Sequence, residues 1–316
     1  MRAIQLEKFG GADAMQLVEL PDPQPTDGQV VIDVARAGVN FADTHATRDD
    51  YLAAQKLPLI PGGEVAGRTP EGRRVAALLM NGGYAEKVVV PEAVLVPVPD
   101  EVSDEEAAAL LLQGLTARSL LRISARLREG ESVVVQAAAG GTGSLAVQLA
   151  KRMGAGRVIG LASSQEKREL ALRLGADAAV DSRAEDLETQ ILEANEGQPV
   201  DVVLEMSGGE AFRACLGALA PFGRLVSYGL ASREPVELRN VDLMRTSRAV
   251  IGFWLVHLFG RPQELREGIA ELLQAVAKRE LEVVIGGVYP LSEAGRAHEE
   301  IAARKTHGKL LLDPTR

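Results

Sequence analysis

The fold is decided by the stretch Val133-Val134-Val135-Gln136-Ala137-Ala138-Ala139-Gly140-Gly141-Thr142-Gly143-Ser144. It predicts a buried parallel strand, a tight glycine turn and a helix from Leu145 to Met153. Three of the glycines allow the backbone to approach a phosphate closely. The helix N-terminus that follows offers unpaired N–H groups and a partial positive charge to the same phosphate. The stretch therefore predicts a dinucleotide-binding turn in mid-chain, after a separate domain.

The turn is not specific by itself, because Ala138 stands where the full G-x-G-x-x-G fingerprint has its first glycine. A glycine turn in an ordinary parallel α/β sheet is the alternative. The segments after the turn favour nucleotide binding, because short apolar strands alternate with helices and predict a doubly wound parallel sheet. The further predicted strands are Arg157–Leu161, Ala178–Val180, Asp201–Met206, Arg224–Tyr228 and Ala249–Phe253, and the helices between them are Gln165–Leu174, Asp186–Ala194 and about Gly209 to Ala220.

Composition excludes several classes of protein. The chain has 316 residues, 46% of them hydrophobic, which suffices for a substantial core. A formal net charge of −9 disfavours nucleic-acid binding. The single cysteine, Cys215, excludes an internal disulfide and a four-cysteine zinc lobe. We expect a cytoplasmic protein without a membrane partner, since no apolar run reaches membrane-spanning length and no signal peptide precedes the first strand.

The residues before the turn predict a small, mostly antiparallel β domain. Its strands are separated by glycine and proline turns, and they are Ala3–Leu6, Gln16–Leu20, Val30–Ala35, Arg73–Leu78 and Tyr84–Val90. A capping box at Ser103 to Glu106 opens a helix, Ala107–Leu112, and a second helix follows over Thr116–Leu127. The tail is predicted to return to this domain through helix Pro262–Lys278, strand Val283–Val288, helix Ser292–Arg304 and strand Lys309–Leu312.

Segments spread over the whole chain resemble the medium-chain dehydrogenase/reductase superfamily, and more closely its zinc-independent quinone oxidoreductases. They are Ala37-Gly38-Val39-Asn40-Phe41-Ala42-Asp43-Thr44, Pro61-Gly62-Gly63-Glu64-Val65-Ala66-Gly67, Gly82-Gly83-Tyr84-Ala85-Glu86, Leu112-Gln113-Gly114-Leu115-Thr116-Ala117, Gln136–Gly143, Gly252-Phe253-Trp254-Leu255 and Gly308-Lys309-Leu310-Leu311-Leu312. The resemblance implies a GroES-like catalytic domain over residues 1–115, completed by the tail 256–316. It implies an NADP-binding Rossmann domain with a six-stranded sheet over residues 116–255.

The resemblance also bears on metal chemistry. Zinc-dependent relatives present metal ligands at positions that here hold Asn40, Gly63 and Leu112, none of which forms a Zn²⁺ site. We therefore expect no metal, and hydride delivery to a carbon that is already electron-poor. The implied activity is NADPH-dependent reduction of quinones. Reduction of enones, 2-alkenals or enoyl thioesters is an alternative, and a nicotinamide-binding structural or sensory protein with little turnover is an alternative of another class.

The choice of NADPH depends on the end of the second strand. Many NAD-binding folds have an acid there, whereas this chain has uncharged residues near Ala162. Ser163, Ser164 and Lys167 are suited to a 2′-phosphate. Alternatively, a serine caps the next helix and Lys167 lies on a solvated face. Asp181, after the third strand, does not favour a phosphate, although the nearby Arg183 can compensate for it.

The resemblance places the candidate catalytic residues on one loop. Asn40 is suited to orient a carbonyl or the nicotinamide amide. Asp43 either takes part in the site or anchors the loop through backbone N–H groups. His45 corresponds to a proton-relay position of zinc enzymes, with an ordinary surface residue as the alternative. Tyr51 is a second possible proton donor or an aromatic wall.

Further residues are predicted to contact the cofactor. They are Thr116, Ala139, Gly140, Gly141, Thr142, Gly143, Gly229, Phe253, Trp254 and Leu255. Thr116 resembles a threonine that contacts the nicotinamide carboxamide, or it caps the helix that it opens. Trp254 lies near the carboxyl edge of the sheet as a substrate wall or a subunit contact, or it belongs to the core. We expect a homodimer centred on the apolar edge strand near Val250 to Phe253.

Overall fold

The computed structural model describes residues 1–50 and 52–316, so the prediction for Tyr51 lies outside the described residues. The chain forms two compact units. Unit 1 comprises Met1–Gln113 and Gln263–Arg316, and unit 2 comprises Gly114–Pro262. No helix in the described ranges is long and apolar enough to cross a membrane.

Unit 2 contains a six-stranded parallel sheet with the order β10-β9-β8-β11-β12-β13. Its strands are β8 (Ser132–Gln136), β9 (Arg157–Ala162), β10 (Ala178–Asp181), β11 (Val200–Glu205), β12 (Leu219–Ser227) and β13 (Ala249–Gly252). The helices are α3 (Gly141–Arg152), α4 (Gln165–Arg173), α5 (Leu187–Ala194), α6 (Gly209–Gly217) and α7 (Asn240–Thr246). This arrangement confirms the doubly wound six-stranded sheet.

The valine run of β8 lies in the centre of this sheet, between β9 and β11. Val133, Val134 and Val135 have no exposed surface, as expected for a parallel strand covered on both faces. Helix α3 begins directly after the turn and packs closely on it. A Cβ atom on Gly143 would lie 2.1 Å from the carbonyl oxygen of Ala137, so only glycine permits this approach.

Unit 1 contains a seven-stranded, mostly antiparallel sheet with the order β14-β15-β3-β4-β5-β7, in which β6 also pairs with β3, and a separate β1-β2 pair. The strands are β1 (Arg2–Gln5), β2 (Gln16–Glu19), β3 (Gln29–Val39), β4 (Glu64–Arg68), β5 (Arg74–Leu78), β6 (Lys87–Pro91), β7 (Val96–Pro97), β14 (Ile285–Pro290) and β15 (Lys309–Asp313). The helices of unit 1 are α1 (Phe41–Ala46), α9 (Ala294–Ala302), all but the first residue of α8 (Pro262–Ala277), and the first part of α2 (Asp104–Ser119), whose remainder belongs to unit 2. The predicted GroES-like β domain is confirmed.

The tail supplies two strands of this sheet. Strand β15 pairs antiparallel with β3, with Leu310 opposite Val39. Lys309 and Asn40 are the next residues along these two strands. The last strand therefore brings a lysine to the segment that carries the candidate catalytic residues. Packing of β15 therefore shapes that loop.

The predicted elements differ from the structure in several places. The sequence predicted separate helices over 107–112 and 116–127, but α2 is continuous to Ser119 and passes into a π-helical turn, Leu120–Ala125. Gly114 lies inside α2, where buried neighbours outweigh its low helix propensity. Strands β4 and β7 and helices α1 and α7 were not predicted. Asp43 was expected on a loop but lies in α1, and Asn40 is the N-cap residue of that helix.

Candidate functional site

The glycine turn presents unpaired backbone donors. Gly140 is the N-cap of α3, and no side chain of the described residues caps that helix. The first N–H groups of α3 at Gly141, Thr142 and Gly143 therefore remain available to an anion. The tight part of the turn is formed by Ala137 at φ 48°, a left-handed conformation that glycine adopts more readily, and by a 2.7 Å hydrogen bond from Gly140 N–H to the Ala137 carbonyl. The turn thus fits a pyrophosphate despite the missing first glycine.

Basic side chains gather at the ends of β9 and β10. Ser164 caps α4 by accepting a 3.4 Å hydrogen bond from Lys167 N–H, while Ser163 lies half-buried beside it. The pKa of the Lys167 ammonium is lowered, mainly by burial and next by the positive charge of Arg183. Two cations held close together favour a bound anion.

The carboxylate of Asp181 is neutralised within this cluster. Its Oδ2 atom lies 2.9 Å from the Arg168 guanidinium, and its Oδ1 accepts a 3.0 Å hydrogen bond from the backbone N–H of Arg183. Asp181 is therefore already paired and does not oppose a phosphate. The pairing of Arg168 was missed by sequence reasoning.

A polar cluster lies at the carboxyl ends of β8, β11 and β12. Glu205 is fully buried, and its Oε1 accepts hydrogen bonds from the N–H groups of Ser207 and Gly208 at 2.7 and 2.6 Å. Gln136 accepts from the N–H groups of Met206 and Ser207 at 3.1 Å each. Burial raises the pKa of the Glu205 carboxyl. These bonds fix the loop after β11, a role that sequence reasoning did not assign.

The remaining predicted cofactor residues of unit 2 lie after β12 and β13. Gly229 approaches the loop of β11, since a Cβ atom there would lie 2.9 Å from the Met206 carbonyl oxygen. Phe253 N–H donates to the Ser227 carbonyl at 2.9 Å, and Trp254 stacks edge-on against His257, with ring centroids 5.5 Å apart. Phe253, Trp254 and Leu255 are half-buried.

Thr116 lies inside α2 and is buried. The alternative that it caps a helix is wrong, because α2 begins twelve residues earlier at Asp104, where Ser103 and Glu106 form the predicted capping box.

Asn40 and Asp43 are joined at the start of α1. The Oδ2 atom of Asp43 accepts from the backbone N–H of Asn40 and from the hydroxyl of Tyr84, both at 2.9 Å. This is the loop-anchoring arrangement. Burial raises the pKa of Asp43 to about 6, although both donors and the charge of Lys309 favour the carboxylate.

Tyr84 continues this network to the tail. Its hydroxyl oxygen lies 2.9 Å from Nε2 of His298, a residue of α9. Burial lowers the pKa of His298 to about 3, and the charge of Arg48 acts in the same direction. The imidazole is therefore neutral, and it donates its Nε2 proton to Tyr84, whose own proton is donated to Asp43. Neither Tyr84 nor His298 was proposed from the sequence.

His45 is buried on α1 rather than exposed on a loop, so its alternative as a surface residue is wrong. Its Nδ1 lies 2.7 Å from Asp50 Oδ1, and its ring contacts Phe41 edge-on with centroids 5.6 Å apart.

A buried ammonium lies beside Asn40. Lys309 Nζ donates to Asn40 Oδ1 at 2.6 Å, to Glu64 Oε1 at 2.5 Å and to Gln113 Oε1 at 2.7 Å. Burial lowers the pKa of Lys309, and the Glu64 carboxylate opposes this effect. Three acceptors at these distances satisfy all three N–H bonds of a charged ammonium.

The residues present do not fit zinc. The three positions implied as ligands hold Asn40, Gly63 and Leu112. Lys309 donates hydrogen bonds to Asn40 and to Glu64 and Gln113, which directly follow the other two positions. Among residues 1–50 and 52–316, no group of three His, Cys, Asp or Glu side chains is arranged to hold a metal ion. An ammonium that donates to this amide also competes with a cation for the same oxygen.

Comparison with known proteins agrees with this architecture. Residues 26–100 match the family model described as "Alcohol dehydrogenase GroES-like domain", and residues 141–275 match "Zinc-binding dehydrogenase". The chain is 34% identical to a quinone oxidoreductase of Pseudomonas aeruginosa, covering 99% of both proteins. The chain belongs to the medium-chain dehydrogenase/reductase superfamily.

Solved structures of this superfamily include similar proteins. The quinone oxidoreductase of Thermus thermophilus, solved alone and with NADPH, is 41% identical, with a TM-score of 0.90 and coverage of 99% of this chain and 100% of that one. The Escherichia coli quinone oxidoreductase complexed with NADPH is 30% identical, with a TM-score of 0.94 and the same coverage. The superfamily resemblance found in the sequence is confirmed.

Proposed function

We propose that this medium-chain oxidoreductase is an NADPH-dependent, zinc-independent quinone reductase. The observation that carries the proposal is the Asn40 amide, which is 1% exposed, stands at the implied position of a metal ligand and hydrogen-bonds to an ammonium. Such a site offers hydrogen bonds to a carbonyl oxygen but no Lewis acid for activating an alcohol. The names of the similar quinone oxidoreductases support the same conclusion.

Unit 2 is proposed to bind the cofactor. The N–H groups at the start of α3 bind the pyrophosphate, and Lys167 with Arg183 binds the 2′-phosphate that distinguishes NADPH from NADH. Gly229 and the half-buried Phe253, Trp254 and Leu255 line the carboxyl edge of the sheet, where ligands of such folds bind. When bound, NADPH supplies a hydride from its nicotinamide ring. The two relatives solved with NADPH support this assignment.

Unit 1 is proposed to bind the acceptor through Asn40. As a hydride adds to an electron-poor acceptor, negative charge develops on the carbonyl oxygen, and an amide N–H stabilises it. Asp43 holds the backbone of Asn40 in place through its 2.9 Å hydrogen bond. A proton then comes from solvent or from a nearby donor, for which buried His45 remains a candidate.

A panel of acceptors tests the proposal. Purified protein is assayed for NADPH oxidation with benzoquinones, naphthoquinones, 2-alkenals and enoyl thioesters, before and after treatment with a chelator. We expect the highest kcat/KM with quinones, and rates that chelation leaves unchanged. Preference for an alkenal or thioester would reassign the acceptor, turnover of none would favour a binding protein, and loss of activity on chelation would refute zinc independence.

A further inference from the structure

The ammonium of Lys309 controls which end of two neighbouring amides faces it. An ammonium only donates hydrogen bonds, so it selects the oxygen atoms of Asn40 and Gln113 and not their NH₂ groups. Gln113 reinforces the choice, because its Nε2 also donates to Asn40 Oδ1 at 2.7 Å. Two donors thus converge on one oxygen and hold the Asn40 amide in a single orientation.

The opposite end of Asn40 is consequently left as a donor. Among the described residues, its Nδ2 makes only a long 3.4 Å contact with the Gly38 carbonyl. A Cβ atom on Gly63 would be in ordinary contact with Leu112 Cδ1 at 3.4 Å, the Leu79 carbonyl oxygen at 3.7 Å and Asn40 Nδ2 at 3.9 Å, so Gly63 leaves a space beside that nitrogen that accommodates a methyl group. The NH₂ group therefore adjoins space that a side chain at position 63 would fill.

The charge of Lys309 is itself compensated. Glu64 is fully buried, and its second oxygen accepts from the backbone N–H of Leu112 at 2.8 Å. Gly38 is required for this carboxylate, since a Cβ atom there would lie 2.4 Å from Glu64 Oε1. The pair is thus held by contacts from two other chain segments, 38–40 and 112–113, which is a costly arrangement for a cation that only fills the core.

We propose that Lys309 is a positioning residue for the acceptor. It holds the Asn40 amide with Oδ1 toward the ammonium and Nδ2 toward the acceptor's carbonyl oxygen. This inference rests on the proposed function of Asn40. Without Lys309, neither amide faces a cation that selects its oxygen, so Asn40 and Gln113 can rotate together. Asn40 would then present its oxygen to the acceptor, where it would repel the negative charge that develops during hydride addition.

The test must avoid leaving a buried charge unpaired, because Lys309→Met alone would strand the Glu64 carboxylate and can unfold the chain. The Lys309→Met/Glu64→Gln double variant removes both charges. Lys309→Arg serves as the matched control, because it keeps a buried cation that only donates hydrogen bonds and the Glu64 carboxylate that compensates its charge. Asn40→Ala is added to the wild type and to the double variant, which completes a cycle that measures coupling.

We expect the double variant to lower kcat with a quinone by about 10- to 100-fold, as for a lost hydrogen bond to a charged group, while the KM for NADPH changes by less than about twofold. Lys309→Arg should lose far less, because the guanidinium still selects the oxygens of the two amides. Asn40→Ala should cost little in the double variant, because the amide is already misoriented there. Full additivity of the two losses would overturn the inference, since Lys309 would then act independently of Asn40.

Two further measurements each avoid one point of failure: the first does not need the double variant, and the second does not need turnover. Asn40→Asp keeps an oxygen for Lys309 but removes the outward N–H, so it should be as impaired as Asn40→Ala; retained activity would contradict the inference. In ¹⁵N-labelled protein, a nuclear Overhauser effect should join the Asn40 NH₂ protons to Gly63 Hα and vanish in the double variant. If the wild type reduces no acceptor, the proposed function fails. The nuclear Overhauser effect still tests the role of Lys309 in that case, because its absence from the wild type, or its persistence in the double variant, would contradict the inference.

Discussion

Replacing Lys167 with alanine should change the cofactor preference of this protein. The ammonium is partly buried at the start of α4, close enough to Arg183 that the two charges disfavour one another. A 2′-phosphate beside them relieves this repulsion and accepts a charge-assisted hydrogen bond. Such a bond is worth about 1.5–3 kcal/mol, which partial exposure to solvent reduces to about 1–2 kcal/mol.

The expected consequence is a selective loss. The Kd for NADPH should rise by about 5- to 30-fold, whereas the Kd for NADH, which has no 2′-phosphate, should change by less than about twofold. Titration of both cofactors by fluorescence or calorimetry, at one fixed salt concentration, measures the two changes.

A matched control is available in the same unit. Lys151→Ala removes one lysine charge from α3, where the ammonium pairs with Asp177 at 3.0 Å, and should leave the ratio of the two dissociation constants unchanged. Equal weakening of NADPH and NADH by Lys167→Ala would refute the reasoning. So would a wild-type protein that binds NADH more tightly.

Three further predictions concern the turn, the buried carboxyl and the edge strand. Gly140→Val should abolish dinucleotide binding in a chain that still folds, since Gly140 has an extended backbone (φ −82°, ψ 177°) that valine also adopts. Its Cβ would lie 3.2 Å from the Ala137 carbonyl oxygen, a tight contact that a shift of a few tenths of an ångström relieves; NADPH binding by a variant with native circular dichroism would disprove the prediction. Because the pKa of Asp43 is raised to about 6, the carboxyl contributes stability that is present below about pH 4 and is lost as pH rises through 6. In urea unfolding, the free energy of unfolding of Asp43→Asn minus that of the wild type should therefore rise by up to about 3 kcal/mol between pH 4 and 7. A difference that does not change with pH would refute the assignment. We expect a homodimer through β13, which ends the parallel sheet, so Ile251→Arg should yield monomers in sedimentation velocity; a wild-type monomer at micromolar concentration would exclude it.

The parallel sheet could be predicted because its signals are local. The valine run of β8, the glycines after it and the alternation of short strands with helices all lie within a few residues of one another. The continuity of α2 could not be predicted, because a glycine such as Gly114 usually indicates the end of a helix. Its buried neighbours keep it within the helix.

The candidate site in unit 1 could be predicted only in part. The motif at residues 37–44 identified Asn40 and Asp43 as candidates, but the residues that orient their side chains lie in distant segments of the chain. Lys309 lies 269 residues from Asn40 along the chain. A lysine before an apolar strand has no local feature that indicates burial, and the pairing of β15 with β3 is what brings it there. Tyr84 and His298, 214 residues apart, escaped prediction for the same reason.

The most direct test of the account is the rate of quinone reduction by protein shown to be free of metal. Elemental analysis is made on the same sample as a steady-state assay with NADPH and a quinone, and with NADP⁺ and a primary alcohol as the comparison. The account predicts quinone turnover without stoichiometric zinc, and no oxidation of the alcohol. One zinc ion per chain, together with a quinone rate that falls when zinc is removed and returns when it is restored, would contradict it.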